Sequence, residues 1–216
     1  LTHSHTHTLT HSHTHTLTPL LPSELFPGLD HRALGASPMF YVPFCREVCL
    51  WCGAVDASKK TAEYNLKKKR SLIIWPGGVR EIFETDPYTK NTNIILKSRK
   101  GMFELAIKYG TPLVPTVVFG EKYFYHRLHI NPTIMEFFRK FSIPLLIFWG
   151  RWFTWLPLER DMAVVFGEPI PVTQKDDPSD EEIQKLQSQF IEAMVKLHDT
   201  YKVRYPYAAE DTLTVL

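Results

Sequence analysis

Residues 101–119 read GMFELAIKYGTPLVPTVVF, and this stretch decides the fold class. Apolar side chains recur at helical spacing from Gly101 to Tyr109 and stop at Gly110, which predicts a helix with a glycine C-cap. The following residues, 113–119, include three valines. Valine favours the pleated, half-buried surface of a sheet, so these residues predict a buried strand.

Two further apolar runs read as strands. Residues 72–75 read LIIW and end at Pro76-Gly77-Gly78, and residues 162–166 read MAVVF and end at Gly167. Short apolar runs that stop at glycine or proline are typical of buried strands. Helices between such strands predict an α/β fold, a layered sheet flanked by helices, with ligands expected outside the strand ends.

Two more helices are predicted. Residues 43–52 form the first, with Pro43 in its opening turn and Gly53 as its cap. Ser179 and Glu182 form a capping box before the second, whose apolar residues recur every three or four positions until Pro206. They are Ile183, Leu186, Phe190, Met194, Leu197 and Tyr201. The sequence shows no internal domain boundary after residue 19.

The first residues of the chain differ from the rest. Residues 1–8 read LTHSHTHT and residues 9–16 repeat them, which is low-complexity sequence without an apolar set to bury. His3, His5 and His7 could bind a metal from one side of an extended strand, but a translated DNA repeat explains the tract more simply. Residues 1–18 are therefore separated from 19–216. Six of the ten histidines lie in the first sixteen residues, and the chain begins with Leu1 instead of Met. We therefore expect the natural N-terminus to be missing or wrongly assigned.

Composition excludes several classes of protein. A hydrophobic fraction of 44% in 216 residues is ample for a core and argues against a mostly disordered chain. A net charge of +2 gives no reason to expect a nucleic-acid partner. The three cysteines, Cys45, Cys49 and Cys52, are odd in number and form no disulfide framework. They indicate a reducing environment or a surface that faces the cytosol.

Three loops carry candidate site residues. Gly77 and Gly78 follow a predicted strand and allow close backbone approach to a ligand, while Arg80 beyond them could hold a phosphate, carboxylate or carbonyl oxygen. An ordinary turn would also explain them. Gly120 and Glu121 end the valine-rich strand and would face the same crevice at the strand ends.

The third loop, Arg99-Lys100-Gly101, begins the predicted helix. Its two cations could meet an anionic group at the helix N-terminus. A solvated basic helix start is the alternative explanation.

In their order and spacing, these segments resemble the type-2 diacylglycerol acyltransferase family, which includes monoacylglycerol and wax-ester acyltransferases. The resemblance runs from Phe26-Pro27-Gly28 almost to the C-terminus. It includes Pro43 with Arg46-Glu47, Gly77-Gly78 with Glu81, RKGMF at 99–103, GTPLVP at 110–115, FGE at 119–121, Gly150-Arg151 and GEPI at 167–170. Trp152 departs from the family, which usually has glycine after Gly-Arg.

The resemblance implies an endoplasmic-reticulum membrane enzyme with a glycerolipid acyltransferase-like fold. It would move a fatty acyl group from acyl-CoA to a glycerolipid hydroxyl, by default that of diacylglycerol, at a membrane surface. The resemblance is also compatible with a homo-oligomer. It implies no metal or redox cofactor. The expected substrate-binding residues are Gly77, Gly78, Arg80, Glu81, Arg99, Lys100, Gly101, Gly120 and Glu121.

The family also has a His-Pro-His-Gly motif upstream of Phe26, and one of its histidines is thought to act as general base. This motif does not occur in the chain, so no catalytic residue is assigned. A non-catalytic lipid-binding remnant is therefore an alternative. A second is a radical S-adenosylmethionine enzyme, because Cys45, Cys49 and Cys52 have the spacing of an iron–sulfur motif.

Two segments bear on membrane contact. Residues 141–153 are strongly apolar but shorter than the roughly 20 residues that span a bilayer, so they predict a buried or an interfacial segment. A basic cluster could attract lipid headgroups or CoA phosphates, although a solvated helix face is the simpler interpretation. This cluster comprises Lys59, Lys60, Lys67, Lys68, Lys69 and Arg70.

Overall fold

A computed structural model of the chain describes residues 28–78, 89–128, 148–154 and 156–216. The low-complexity residues 1–18 lie outside this part, as do residues 141–147 of the apolar segment. Among the helices that the structure describes, none combines the length and the apolar character needed to cross a bilayer.

The first described region contains a parallel sheet of three strands. Strand β1 lies in the middle, with β2 on one side and β3 on the other. Its elements are β1 (His31–Gly35), α1 (Cys45–Trp51), β2 (Ala54–Asp56), α2 (Lys59–Lys67) and β3 (Ser71–Ile73). The Ser58 hydroxyl caps α2 by accepting from the Thr61 amide.

The second region contains strand pairs and the two helices that contribute to the main hydrophobic core. Strand β4 pairs with β9 in parallel, whereas β5 pairs with β8, and β6 with β7, in antiparallel fashion. The elements are β4 (Asn91–Ile94), α3 (Gly101–Tyr109), β5 (Thr116–Phe119), β6 (His126–Arg127), β7 (Phe148–Trp149), β8 (Ala163–Phe166), α4 (Asp180–Lys202) and β9 (Thr212–Val215).

The core of this second region lies between α3, α4 and the strands. Phe103 of α3 is fully buried and meets Phe190 of α4 edge to face, with ring centroids 5.7 Å apart. Gln187, also buried, donates from its amide nitrogen to the carbonyl oxygens of Leu96 and Lys97, at 2.9 and 3.1 Å. These two hydrogen bonds hold α4 beside the end of β4, because a buried amide without a partner would lower the free energy of unfolding.

Most local predictions are confirmed. Helix α3 has the predicted bounds and ends at Gly110 with a φ of +59°. Helix α4 begins with the predicted capping box of Ser179 and Glu182. Helix α1 is shorter than predicted at both ends, and Gly53 follows it with a φ of +73°.

The apolar run at 72–75 is the clearest correction. Strand β3 covers only Ser71–Ile73, which are half-buried, and Ile74 and Trp75 beyond it are exposed. Valine-rich β5 is likewise shorter than predicted, and Leu113 forms an isolated bridge with Ile170. An apolar run shows that burial is favourable, but strand length depends on the partner strand, which these residues do not encode.

The basic cluster is partly used in internal contacts. Lys59 forms an ion pair with Glu104 of α3 at 2.9 Å, and Arg70 forms one with Asp30 at 2.7 Å. Lys68 lies over the ring of Tyr64, 4.4 Å from its centroid. Lys59 and Arg70 therefore link α2 and the residues after it to other parts of the chain, whereas the contact of Lys68 lies within the end of α2 itself.

Candidate functional site

The loop after β3 meets the residues after β4. The guanidinium of Arg99 donates to the carbonyl oxygen of Gly77 over 3.3 Å. Gly78 has a φ of +58°, in the left-handed region that glycine adopts readily, and its side-chain position lies 3.8 Å from the same guanidinium. Two of the three predicted loops are therefore in direct contact.

Lys100 and Gly101 continue this site into the first turn of α3. The carbonyl of Lys100 accepts from the amides of Phe103 and Glu104, and no side chain caps the helix. The ammonium of Lys100 reaches Asp180 of α4 at 3.4 Å, but both side chains are largely exposed. The first N–H groups of α3 thus follow directly on two cationic residues, a combination that favours an anionic group.

Gly120 lies in a different place, where backbone segments meet closely. It has a φ of +90°, and a Cβ atom there would be 2.2 Å from the carbonyl oxygen of Asp161 and 3.1 Å from the ring of Tyr207. No residue with a side chain fits without displacing the chain at 161. Glycine is therefore required by a close backbone approach as well as by the turn.

The residues after Gly120 combine an exposed acid with a buried ion pair. Burial of part of Glu121 raises the pKa of its carboxyl group, although the residue keeps an exposed edge. The ammonium of Lys122 lies 2.8 Å from the carboxylate of Asp211 and also donates to the carbonyl oxygen of Thr89 at 3.0 Å. These contacts tie the turn to the starts of β4 and β9.

An open cavity of about 490 Å³ lies beside this turn. Burial, with smaller contributions from Tyr205 and Asp161, raises the pKa of Tyr207 to about 12, so its phenol stays protonated at neutral pH. The residues that line the cavity include Tyr123, His126, Leu158, Arg160, Asp161 and Tyr207.

The structure does not bring all three predicted loops together. Lys122 contacts Thr89 just before β4, whereas Arg99 follows β4 and meets Gly77. The Arg99 surface and the Gly120 turn therefore lie toward opposite ends of that strand, and the expected common crevice is not formed. Arg80 and Glu81, the remaining predicted residues, lie outside the described part of the chain.

Lys122 belongs to the loop 119–122 that the sequence singles out, but its ion pair is not predicted. Asp211 and Tyr207 are not predicted at all. Asp211 and Tyr207 lie far along the chain, and no local pattern predicts that they meet the Gly120 turn. His198 was given no role from the sequence, and in the structure it is a buried residue whose ring stacks on that of Phe119, with centroids 5.5 Å apart.

The cysteine triplet does not form a ligand set in the structure. Cys49 is buried, Cys45 is partly buried and Cys52 is exposed. Burial, and then a hydrogen bond with Cys45, raises the pKa of the Cys49 thiol, which opposes the thiolate that a metal needs. Within the described ranges, no three histidine, cysteine or acidic side chains are arranged to hold a metal.

Trp152 adopts a conformation that suits the glycine expected at that position. Its φ of 51° lies in the left-handed region, and its side chain is 78% exposed. Trp152 therefore holds a backbone conformation that glycine adopts more readily.

Comparison with known proteins identifies the family. A sequence model described as "Diacylglycerol acyltransferase" matches residues 16–216. Acyl-CoA wax alcohol acyltransferase 2 of Homo sapiens is 29% identical over 208 residues, which cover 90% of this chain and 62% of that protein. Diacylglycerol O-acyltransferase 2 of Mus musculus is 31% identical over 208 residues, with 89% and 53% covered.

A third relative, Acyl-CoA wax alcohol acyltransferase 1 of Homo sapiens, is 32% identical over 196 residues, with 85% of this chain and 59% of that protein covered. No solved structure matches. The chain belongs to the diacylglycerol acyltransferase family. It spans less than two thirds of the length of these curated relatives.

Proposed function

We propose that this protein takes part in transfer of a fatty acyl group from acyl-CoA to a lipid hydroxyl, with diacylglycerol as the default acceptor. The family match over residues 16–216 is the observation that carries the proposal. Residues 19–216 then belong to an acyltransferase domain with a layered α/β fold. In the reaction the hydroxyl oxygen forms an ester bond to the acyl carbon, the thioester C–S bond breaks, and the hydroxyl proton leaves on the CoA thiol.

The Arg99 surface is suited to the donor. Gly77, Gly78, Arg99, Lys100 and the first turn of α3 place cations and N–H groups at the carboxyl ends of β3 and β4. Ligands of open α/β sheets usually bind at this end of the strands. These residues therefore bind the phosphates of CoA, and Arg99 is the principal cation because its guanidinium is oriented by the Gly77 carbonyl.

Membrane contact is part of the same proposal, because both substrates carry long apolar chains. Tyr41, Phe44 and Trp51, in and before α1, are each more than four fifths exposed. Exposed aromatic side chains of this kind favour the boundary between water and lipid. We place the protein at the endoplasmic-reticulum membrane with this surface toward the lipid, either alone or as a homo-oligomer.

The test uses the protein expressed from its complete transcript in cells that make no triacylglycerol. Microsomes receive labelled acyl-CoA with diacylglycerol in one arm and a long-chain alcohol in another, since two of the relatives above are named for wax alcohols. Formation of triacylglycerol supports the default acceptor, and formation of wax ester alone replaces it with an alcohol. No product in either arm contradicts the enzyme proposal and leaves the non-catalytic lipid-binding alternative.

A variant pair tests the donor site. Arg99→Ala is expected to raise the KM for acyl-CoA about tenfold, since one charge-assisted contact to phosphate is lost. Lys97→Ala removes an exposed cation nearby and should leave the KM unchanged. Equal values for Arg99→Ala and the parent protein would remove Arg99 from the site.

A further inference from the structure

The cavity beside the Gly120 turn has preformed walls. Tyr123 follows Lys122, whose buried ion pair with Asp211 fixes this segment. The Tyr123 hydroxyl donates to the carbonyl oxygen of Tyr207 at 3.4 Å, which joins two of the walls. The amide of Leu158 donates to the carbonyl oxygen of Phe124 at 2.8 Å, which fixes the wall that contains Leu158. A cavity bounded in this way needs little rearrangement to bind a ligand.

The lining of this cavity includes two residues of opposite charge, Arg160 and Asp161. Within the described residues, no acidic side chain forms an ion pair with Arg160, and neighbouring Glu159 is held by Arg151 at 2.6 Å. Asp161 lies next to Arg160 at the cavity and acts electrostatically on Tyr207. A cavity lined by a guanidinium and a carboxylate offers both a donor and an acceptor to a bound group.

The rest of the lining suits a hydrocarbon chain. Aromatic rings of Tyr123, His126 and Tyr207 and the side chain of Leu158 supply apolar area, and His126 packs on Trp149 with centroids 5.9 Å apart. The volume of about 490 Å³ lies within the usual range for small-molecule sites, roughly 300–1,000 Å³.

We infer that this cavity binds the hydroxyl end of a neutral lipid, an inference that rests on the proposed acyltransferase function because it supplies the acceptor. The hydroxyl donates to the Asp161 carboxylate and accepts from Arg160, and the first part of the chain lies against the aromatic rings. A fatty-acid carboxylate is disfavoured because it would face Asp161. A plain hydrocarbon gains no polar contact. The site lies apart from the Arg99 surface, so the two can be altered separately.

Direct binding tests this inference without requiring activity. The full chain is equilibrated in detergent with labelled hexadecanol, dioctanoylglycerol, palmitate or hexadecane, and bound ligand is measured by equilibrium dialysis. Hexadecanol or dioctanoylglycerol should bind at least about tenfold more tightly than the other two, because only a hydroxyl satisfies both polar groups. Which of the two binds distinguishes an alcohol from a glycerolipid. Equal binding of hexadecane, or tighter binding of palmitate, would overturn the inference.

Variants locate the binding. Arg160→Ala and Asp161→Asn alter exposed side chains and should each weaken hexadecanol or dioctanoylglycerol binding about tenfold, while thermal unfolding is unchanged. Lys196→Ala, an exposed cation on α4, is the matched control and should bind like the parent. Unchanged binding in both cavity variants contradicts the inference even if acyl transfer is found. Hydroxyl-dependent binding without acyl transfer supports the cavity and contradicts the proposed enzyme.

Discussion

The ammonium of Lys122 lies 2.8 Å from the carboxylate of Asp211, and both side chains are less than a tenth exposed. Lys122 comes directly after the Gly120-Glu121 turn, whereas Asp211 directly precedes β9. The pair therefore joins the turn beside the cavity to the start of β9, the strand that pairs with β4. Each of these buried charges is tolerated because the other compensates it. Removal of one member alone should therefore destabilise the protein more than replacement of both.

Removing one member of this pair should destabilise the protein strongly. Lys122→Met leaves the Asp211 carboxylate buried without its partner, and the free energy of unfolding should fall by about 3–5 kcal/mol. Chemical denaturation measures the change. Lys90→Met breaks the exposed pair with Glu210 and should cost less than about 1 kcal/mol. The double variant Lys122→Met with Asp211→Leu should recover most of the loss, and no recovery would argue against an isolated pair.

Gly120 should tolerate no side chain. In Gly120→Ala the new Cβ meets the Asp161 carbonyl oxygen and the residue keeps a left-handed φ, so the free energy of unfolding should fall by at least about 2 kcal/mol. Gly101→Ala is the comparison, because a Cβ there has no atom within 4 Å and lies in a helix. It should be neutral or stabilising by up to about 1 kcal/mol. Similar losses in both variants would contradict the close approach at Gly120.

Stability should decrease in mild acid through His198. Burial lowers the pKa of its imidazole, while the hydrogen bond with Asp199 and the charge of Asp211 oppose this and Lys202 adds to it. The imidazole takes up a proton at about pH 6.5 in the unfolded chain. The contribution of neutral His198 to the free energy of unfolding is therefore fully present above that pH. It declines as the pH falls from there toward the folded-state pKa.

The measurement is denaturant unfolding of the parent protein and of His198→Phe at pH 7.5, 6.5 and 5.5. Phenylalanine keeps a ring to pack on Phe119 but cannot take up a proton, so its stability should change less across this range. A parallel pH dependence in the two proteins would show that another group is responsible.

The turn at Trp152 should be relaxed by glycine. Trp152 has a φ of 51°, which costs a residue with a Cβ roughly 1–2 kcal/mol. Trp152→Ala removes the exposed ring but keeps the Cβ, whereas Trp152→Gly removes both. Thermal unfolding should show Trp152→Gly to be about 1 kcal/mol more stable than Trp152→Ala. The reverse order would mean that the backbone does not adopt the left-handed conformation in solution.

Local patterns predicted the helices well because the signals are local too. Gly110 ends α3 and Ser179 begins α4 through contacts within a few residues. The neighbouring sequence is therefore enough to predict these helix ends. The strand at 72–75 was predicted less well, because the extent of β3 depends on its pairing with β1. Strand propensity can be seen in the local sequence, whereas the extent of a strand depends on its partner strand.

The candidate sites show a similar limit. The sequence placed Gly77 after a strand and Arg99 at the start of a helix, and the contact between them joins two of the predicted loops. The position of the Gly120 turn does not, because sequence order cannot tell which end of β4 a later strand will reach. The partners Asp161 and Asp211 lie far from Gly120 in sequence, and their approach follows only from the folded chain.

The parallel pairing of β4 with β9 also affects how the protein is made. Asn91 and Thr212 pair although 121 residues separate them, so β4 leaves the ribosome long before its neighbour is synthesised. Until β9 is synthesised, Ile94 and Leu96, which are buried in the folded protein, stay partly exposed to solvent. Contacts between such distant residues form slowly. A premature stop codon that removes only β9 would therefore leave a nascent chain with an open core and an unpaired strand edge, prone to aggregation and degradation.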